Sequence, residues 1–153
     1  MNSEVFNGIV GTCQVHAKRL NWAMTELATK KPFSRDTIQQ LTDMDLAILD
    51  QFIARFSKLQ DAMGAKFLPS IIELTHEEGE LSSFIDKLNR LEKNGAIKSA
   101  DQWLKLREIG NQFSHDYADD PEIQASLLNK AFDMAEKLLE TLDRVVIFSK
   151  KYL

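Results

Sequence analysis

Three residues in the second half of the chain have the types and spacing for acid–base chemistry. In the stretch LREIGNQFSHDY, residues 106–117, Asn111 and His115 stand four apart and Tyr117 follows two residues later. On a helix, a separation of four brings two side chains onto one face and within reach of each other. An imidazole exchanges protons near neutral pH, and an amide four residues away on a helix can touch it. On a helical wheel Arg107, Asn111, Ser114 and His115 form a polar stripe, interrupted by Leu104. The stripe edges an apolar face of Trp103, Leu106, Ile109, Phe113 and Tyr117. Gly110 falls on that apolar face, where the lack of a side chain admits close approach of another backbone. The plain alternatives are a part-buried histidine with a satisfied hydrogen bond and an edge tyrosine with its hydroxyl in water. The run Ser114, His115, Asp116 is no triad, because adjacent residues on a helix point in different directions.

The elements that position these residues all read as helices. Residues 3–29 repeat apolar side chains at mostly helical intervals, from Phe6 to Leu27, and KKPFS ends the segment. A second segment covers residues 34–65, with Ile48, Leu49, Phe52, Ile53, Phe56, Leu59 and Met63 as its apolar stripe. Thr42 or Asp43 caps its main part after a short helical turn, and Gly64 is a weak point. FLPSIIEL continues it, with Pro69 kinking or restarting the helix, and THEEGELS reads as a loop. Ser82 or Ser83 caps a helix running to Asn94, and Gly95 occupies the left-handed stop position. SADQ, residues 99–102, is a capping-box pattern that opens a helix to Tyr117. Asp120 and Pro121 then start a last long helix with an a/d seam of Leu128, Ala131, Ala135, Leu138, Leu142 and Val145. No period-two segment appears. The expected architecture is all-α, an up-and-down bundle of four to five helices in a single domain, residues 1–153.

The composition agrees. With 44% hydrophobic and 27% charged residues, the 153-residue chain can bury a proper core and global disorder is not expected. A net charge of −4 argues against a surface built to coat nucleic acid, so any such contact must be local or come from a partner. Cys13 is the sole cysteine, which excludes an intrachain disulfide and a cysteine-rich zinc site and fits a cytoplasmic protein. The N-terminus lacks the basic start and apolar run of a signal peptide, and nothing approaches the ~20 apolar residues of a membrane span.

REIGNQFSHDY, followed by ADDPE, resembles the signature segment of HEPN domains. It is closest to the HepT-type toxins and the related nucleotidyltransferase substrate-binding proteins. Their hallmark is Arg-Asn, a few residues, then His, often continued as His-x-Tyr. Asn111, His115 and Tyr117 match it, and RFSKLQDAMGAKFLPSIIEL and DKLNRLEKNGAIKSADQWLKLRE extend the likeness over roughly residues 49–128. The chain departs from the pattern at Gly110, which stands where the family has Arg. The nearest basic residue on that helix is Arg107, eight positions before His115, or ~12 Å along the axis.

The resemblance implies a homodimer that cleaves RNA without metal or cofactor, and no membrane role. His115 would act as general acid/base on the 2′-hydroxyl and the leaving oxygen, with Asn111 and Ser114 supporting it. Arg107 would supply the phosphorane clamp across a two-fold dimer with antiparallel signature helices. The implied partner is a nucleotidyltransferase (MNT-like) antitoxin that adenylylates Tyr117. The alternative, motivated by Gly110, is a non-catalytic HEPN binding module paired with a separate nucleotidyltransferase subunit.

Other signals are weaker. TDMDLA places Asp43 and Asp45 like metal-binding carboxylates of nucleotidyltransferases, but it lacks their Gly-Ser loop and strand and reads as a helix cap with an acidic first turn. His16 and His76 are not at metal-ligand spacing. Lys18, Arg19, Lys30 and Lys31 could touch phosphate, yet they read as a solvated face.

Overall fold

Apolar stripes at helical spacing, each started by a capping side chain, produce an all-helical chain. The computed structural model describes residues 2–75, 83–115 and 119–153, with the side chains of Ser114 and His115 outside that description. Within it the elements are α1 (Ser3–Leu27), α2 (Arg35–Gln39), α3 (Asp43–Ala62), α4 (Leu68–Leu74), α5 (Phe84–Lys93), α6 (Ala100–His115) and α7 (Pro121–Ser149). No strand occurs among the described residues. Most of the loop expected at THEEGELS, the alternative cap Ser82, and Tyr117 at the expected helix end lie outside the described residues.

The caps expected at Thr42, Ser83, Ser99 and Asp120 are present, and Ser34 adds one more. Ser34 and Thr37 form a capping box on α2, and Thr42 and Asp45 form another on α3. Ser83 accepts from Asp86 N at 3.1 Å, Ser99 accepts from Gln102 N at 3.0 Å, and Asp120 accepts from Glu122 N at 2.9 Å with Pro121 next. Each of these contacts satisfies a first-turn N–H that has no partner inside the helix. Gly95, at φ 87, takes the left-handed turn after α5, which a side chain would oppose.

FLPSIIEL continues the helix of α3 as expected, and of the two alternatives at Pro69 the restart does not occur: the chain passes through a π-helical turn, Met63–Phe67, straight into α4. Pro69 has no N–H for the Ala65 carbonyl and its ring would crowd that carbonyl in a regular helix. Widening the preceding turn, so that Leu68 N bonds to Met63 O five residues back, lets the chain stay helical.

Paired contacts fix the directions. Phe6 meets Phe67, His16 meets Arg55 and Lys30 meets Asp45, so α1 and α3 run antiparallel. Gly64 lies beside Trp103, Gly110 beside Gln60, and Phe113 against both Phe52 and Phe56, so α6 runs antiparallel to α3 on another of its faces. Phe132 of α7 stacks on Phe52 at 4.3 Å, and Asn129 clasps both backbone polar groups of Phe33 at 2.7 and 2.8 Å. The whole predicted a/d seam of α7 is buried. Full burial of a side chain such as Phe52 or Phe56 is worth about 1.5–3 kcal/mol, so the α3–α6–α7 aromatic cluster holds α6 in place. Val15, which falls within the apolar repeat expected from Phe6 to Leu27, instead faces solvent. No helix among the described residues is long and apolar enough to cross a membrane.

Candidate functional site

The sequence places its chemistry on α6, and the wheel describes that helix well. Trp103, Leu106, Ile109 and Phe113 are buried, while Arg107 and Asn111 are exposed. Asn111 and His115 stand one helical turn apart at the C-terminal end of α6. The side chains of His115 and Ser114, and all of Tyr117, lie outside the described residues.

Gly110 is buried, as expected, but what approaches it is a side chain and not a backbone. A Cβ built on Gly110 would stand 2.8 Å from Oε1 of Gln60 on α3. Gln60 is only 4% exposed, and its amide also lies 3.6 Å from where a Cβ on Gly64 would be. The two glycines therefore form a slot, one on each helix, into which the Gln60 carboxamide fits. A side chain at position 110 would start toward α3 and not along the Asn111 edge. Trp103 bounds the same slot, 3.3 Å from the Gly64 Cβ position, and its indole N–H is buried without a partner among the described residues.

Arg107 does not stand beside Asn111 as a clamp within the chain. Its guanidinium lies over the Phe84 ring of α5, 5.5 Å from the centroid, where the cation meets the negative face of the ring. Together they edge an open groove of about 350 Å³ also lined by Gln60, Asp61, Gly64 and Ala65. Asn111 is thus exposed on α6, and Arg107 is directed toward the α3–α5 side.

Two other signals resolve clearly. Thr42 N donates to the Asp45 carboxylate at 3.0 Å and Asp45 N donates to Thr42 Oγ1 at 3.1 Å, with Lys30 3.6 Å away. These contacts hold Asp45 below the usual carboxylate range, the Thr42 backbone N–H contributing most. TDMDLA is a helix cap. Cys13 is buried, and burial pushes its thiol up to about 11, so it is not a nucleophile at neutral pH.

Sequence reasoning missed a polar cluster between α1 and α3. Nη1 of Arg55 lies 2.9 Å from Nδ1 of His16. Burial of the ring, then the charges of Arg55 and Lys58, lower the His16 pKa from its ordinary value. His16 is therefore a neutral acceptor for Arg55 at neutral pH, with its proton on Nε2. His16 and Arg55 are 39 positions apart, so no motif joins them. The available signal was the run Gly8, Thr12, His16 at intervals of four, a small and polar stripe along one side of the helix.

No family model, curated protein or solved structure matches this chain.

Proposed function

We propose that the chain is a HEPN toxin-like component of a toxin–antitoxin pair, a homodimer that cleaves RNA without metal and is held in check by a nucleotidyltransferase antitoxin. The observation that carries the reading is the placement of Asn111 and His115 one turn apart at the end of α6, with Asn111 exposed. His115 takes the proton of the 2′-hydroxyl, the oxygen closes on the phosphorus, and the 5′-oxygen leaves with a proton from the second protomer's histidine. Asn111 orients the imidazole or a phosphate oxygen. Tyr117 is where the antitoxin adds its nucleotidyl group, and the cytoplasm is the compartment. Purified protein in EDTA should cut RNA, and His115→Ala should reduce cleavage by about a hundredfold or more. Equal cleavage by the variant sinks the role of His115.

The placement of Gly110 favours a second reading, a non-catalytic HEPN module bound to a separate nucleotidyltransferase subunit. Its Cβ direction is taken by Gln60, and Arg107 lies on Phe84. That reading predicts no cleavage and tight association with a nucleotidyltransferase. Restoring an arginine at position 110 would test packing against Gln60 more than chemistry. Arg107→Ala is the cleaner probe: it lowers cleavage only if Arg107 serves a phosphate across the dimer.

A further inference from the structure

Between α1 and α3 runs a groove of about 400 Å³, lined by Arg19 and Trp22 from α1 and by Ala47, Ile48, Gln51 and Arg55 from α3. That volume lies in the range of small-ligand sites. None of the lining residues is a carboxylate, and neither arginine forms an ion pair among the described residues. In a chain of net charge −4, two guanidinium groups left together at one groove make a local positive field that an anion would relieve. Arg55 is also held in place, because its Nη1 donates to His16 Nδ1 at 2.9 Å and its remaining N–H groups stay available. His16 itself lines the next groove along α1, with Lys58, Lys66 and one carboxylate, Asp61. Trp22 is 46% exposed, and a tryptophan face open to water beside cations is a stacking platform.

We infer that this groove is a nucleotide subsite in which Trp22 stacks a nucleobase and Arg19 and Arg55 take the oxygens of its phosphate. The shared chemistry is an aromatic base joined to a phosphate, as a free mononucleotide or as one unit of a single strand. Gln51 offers a donor and an acceptor to the sugar or the base edge. His16 is a positioning residue that sets the direction of Arg55. The site stands on α1 and α3 and does not depend on the reading of α6.

The test uses the full chain labelled with nitrogen-15, whose two tryptophans give two indole N–H signals. Trp22→Phe identifies the Trp22 signal, and the buried Trp103 signal reports that each variant is folded. AMP should shift the Trp22 signal and saturate it at about 1 mM or below. Adenosine lacks the phosphate and inorganic phosphate lacks the base, so each should bind at least about tenfold more weakly. Arg55→Lys keeps the charge but loses the planar fork held by His16, and should weaken AMP at least about fivefold. A 2′-O-methyl pentanucleotide that binds about tenfold tighter than AMP identifies a strand as the source, and equal affinity identifies free nucleotide. The inference is overturned if neither AMP nor the pentanucleotide moves the Trp22 signal, or if adenosine binds as well as AMP. Both comparisons use the unaltered chain, and if Trp22→Phe fails to fold, the exposed Trp22 indole is told from the buried Trp103 indole by its faster exchange with water. Loss of cleavage in His115→Ala with AMP binding retained separates this site from the α6 edge.

Discussion

A single glycine, Gly110, decides how α6 can sit on α3. In an exposed helix, Gly→Ala gains about 0.5–1 kcal/mol by restricting the unfolded chain. Gly8 of α1 is such a position, with nothing within 4 Å of an added Cβ, and Gly8→Ala should stabilise by about that amount. At Gly110 the same methyl group meets the Gln60 carboxamide at 2.8 Å. That amide is the far end of a flexible side chain and borders a groove, so it can turn aside at a cost of about 1 kcal/mol in rotamer strain. Gly110→Ala should therefore be close to neutral by urea denaturation. In a Gln60→Ala background the clash is gone, and Gly110→Ala should regain most of its ~1 kcal/mol. A double-mutant cycle with no coupling would mean that the slot does not constrain position 110. The wheel placed Gly110 on the core face correctly. That a glutamine from another helix fills the space was not legible, because nothing local in the sequence pairs position 60 with position 110.

Helix ends were read more accurately than helix interiors, for a physical reason. A cap is decided by a few adjacent residues, such as Thr42 with Asp45 or Ser83 with Asp86, and all of them are visible together in the sequence. The π-helical turn at Met63–Phe67 depends on two opposed demands, which the sequence shows only in part. Pro69 asks the helix to break, while buried Phe67, Leu68 and Ile71 ask it to continue against the core. Burial wins, and the turn widens. Pro69→Ala removes the first demand and returns a backbone donor. It should raise stability by about 1 kcal/mol or more, read from the urea midpoint at unchanged slope. A loss of stability would show that the wide turn is set by the packing of Met63 and Phe67 and not by the proline. The antiparallel pairing of α1 with α3 is another interior feature. Its register brings His16 to Arg55, a contact that spacing within either helix does not announce.

For the whole molecule, the net charge of −4 hides an uneven distribution. Arg19, Arg55, Lys58 and Lys66 gather on the α1–α3 face with Asp61 as the carboxylate lining those grooves, and His16 sits among them as a neutral ring. Arg19 is exposed, as its reading as part of a solvated face requires, but charge counted along the chain does not say which helices meet. The arrangement has a consequence for pH. His16 is lowered from 6.5 in the folded chain, first by burial of the ring and then by Arg55 and Lys58, while in the unfolded chain it titrates near its ordinary value. Between those two values the unfolded chain binds more protons, so stability is highest above about pH 6.5 and falls as the solution is acidified. Protonation at Nδ1 also removes the acceptor that holds Arg55. Denaturation curves taken at about pH 7.5, 6.5 and 5.5 should show this decline in the parent chain, and His16→Gln should flatten the part that His16 contributes. Using the difference between the two proteins cancels what every other titrating group contributes. Bound AMP should oppose the decline, since a phosphate on Arg55 places negative charge near the ring and raises its pKa back toward the unfolded value. Parallel pH profiles for the parent and His16→Gln would remove His16 from this account and leave Arg55 without its proposed support.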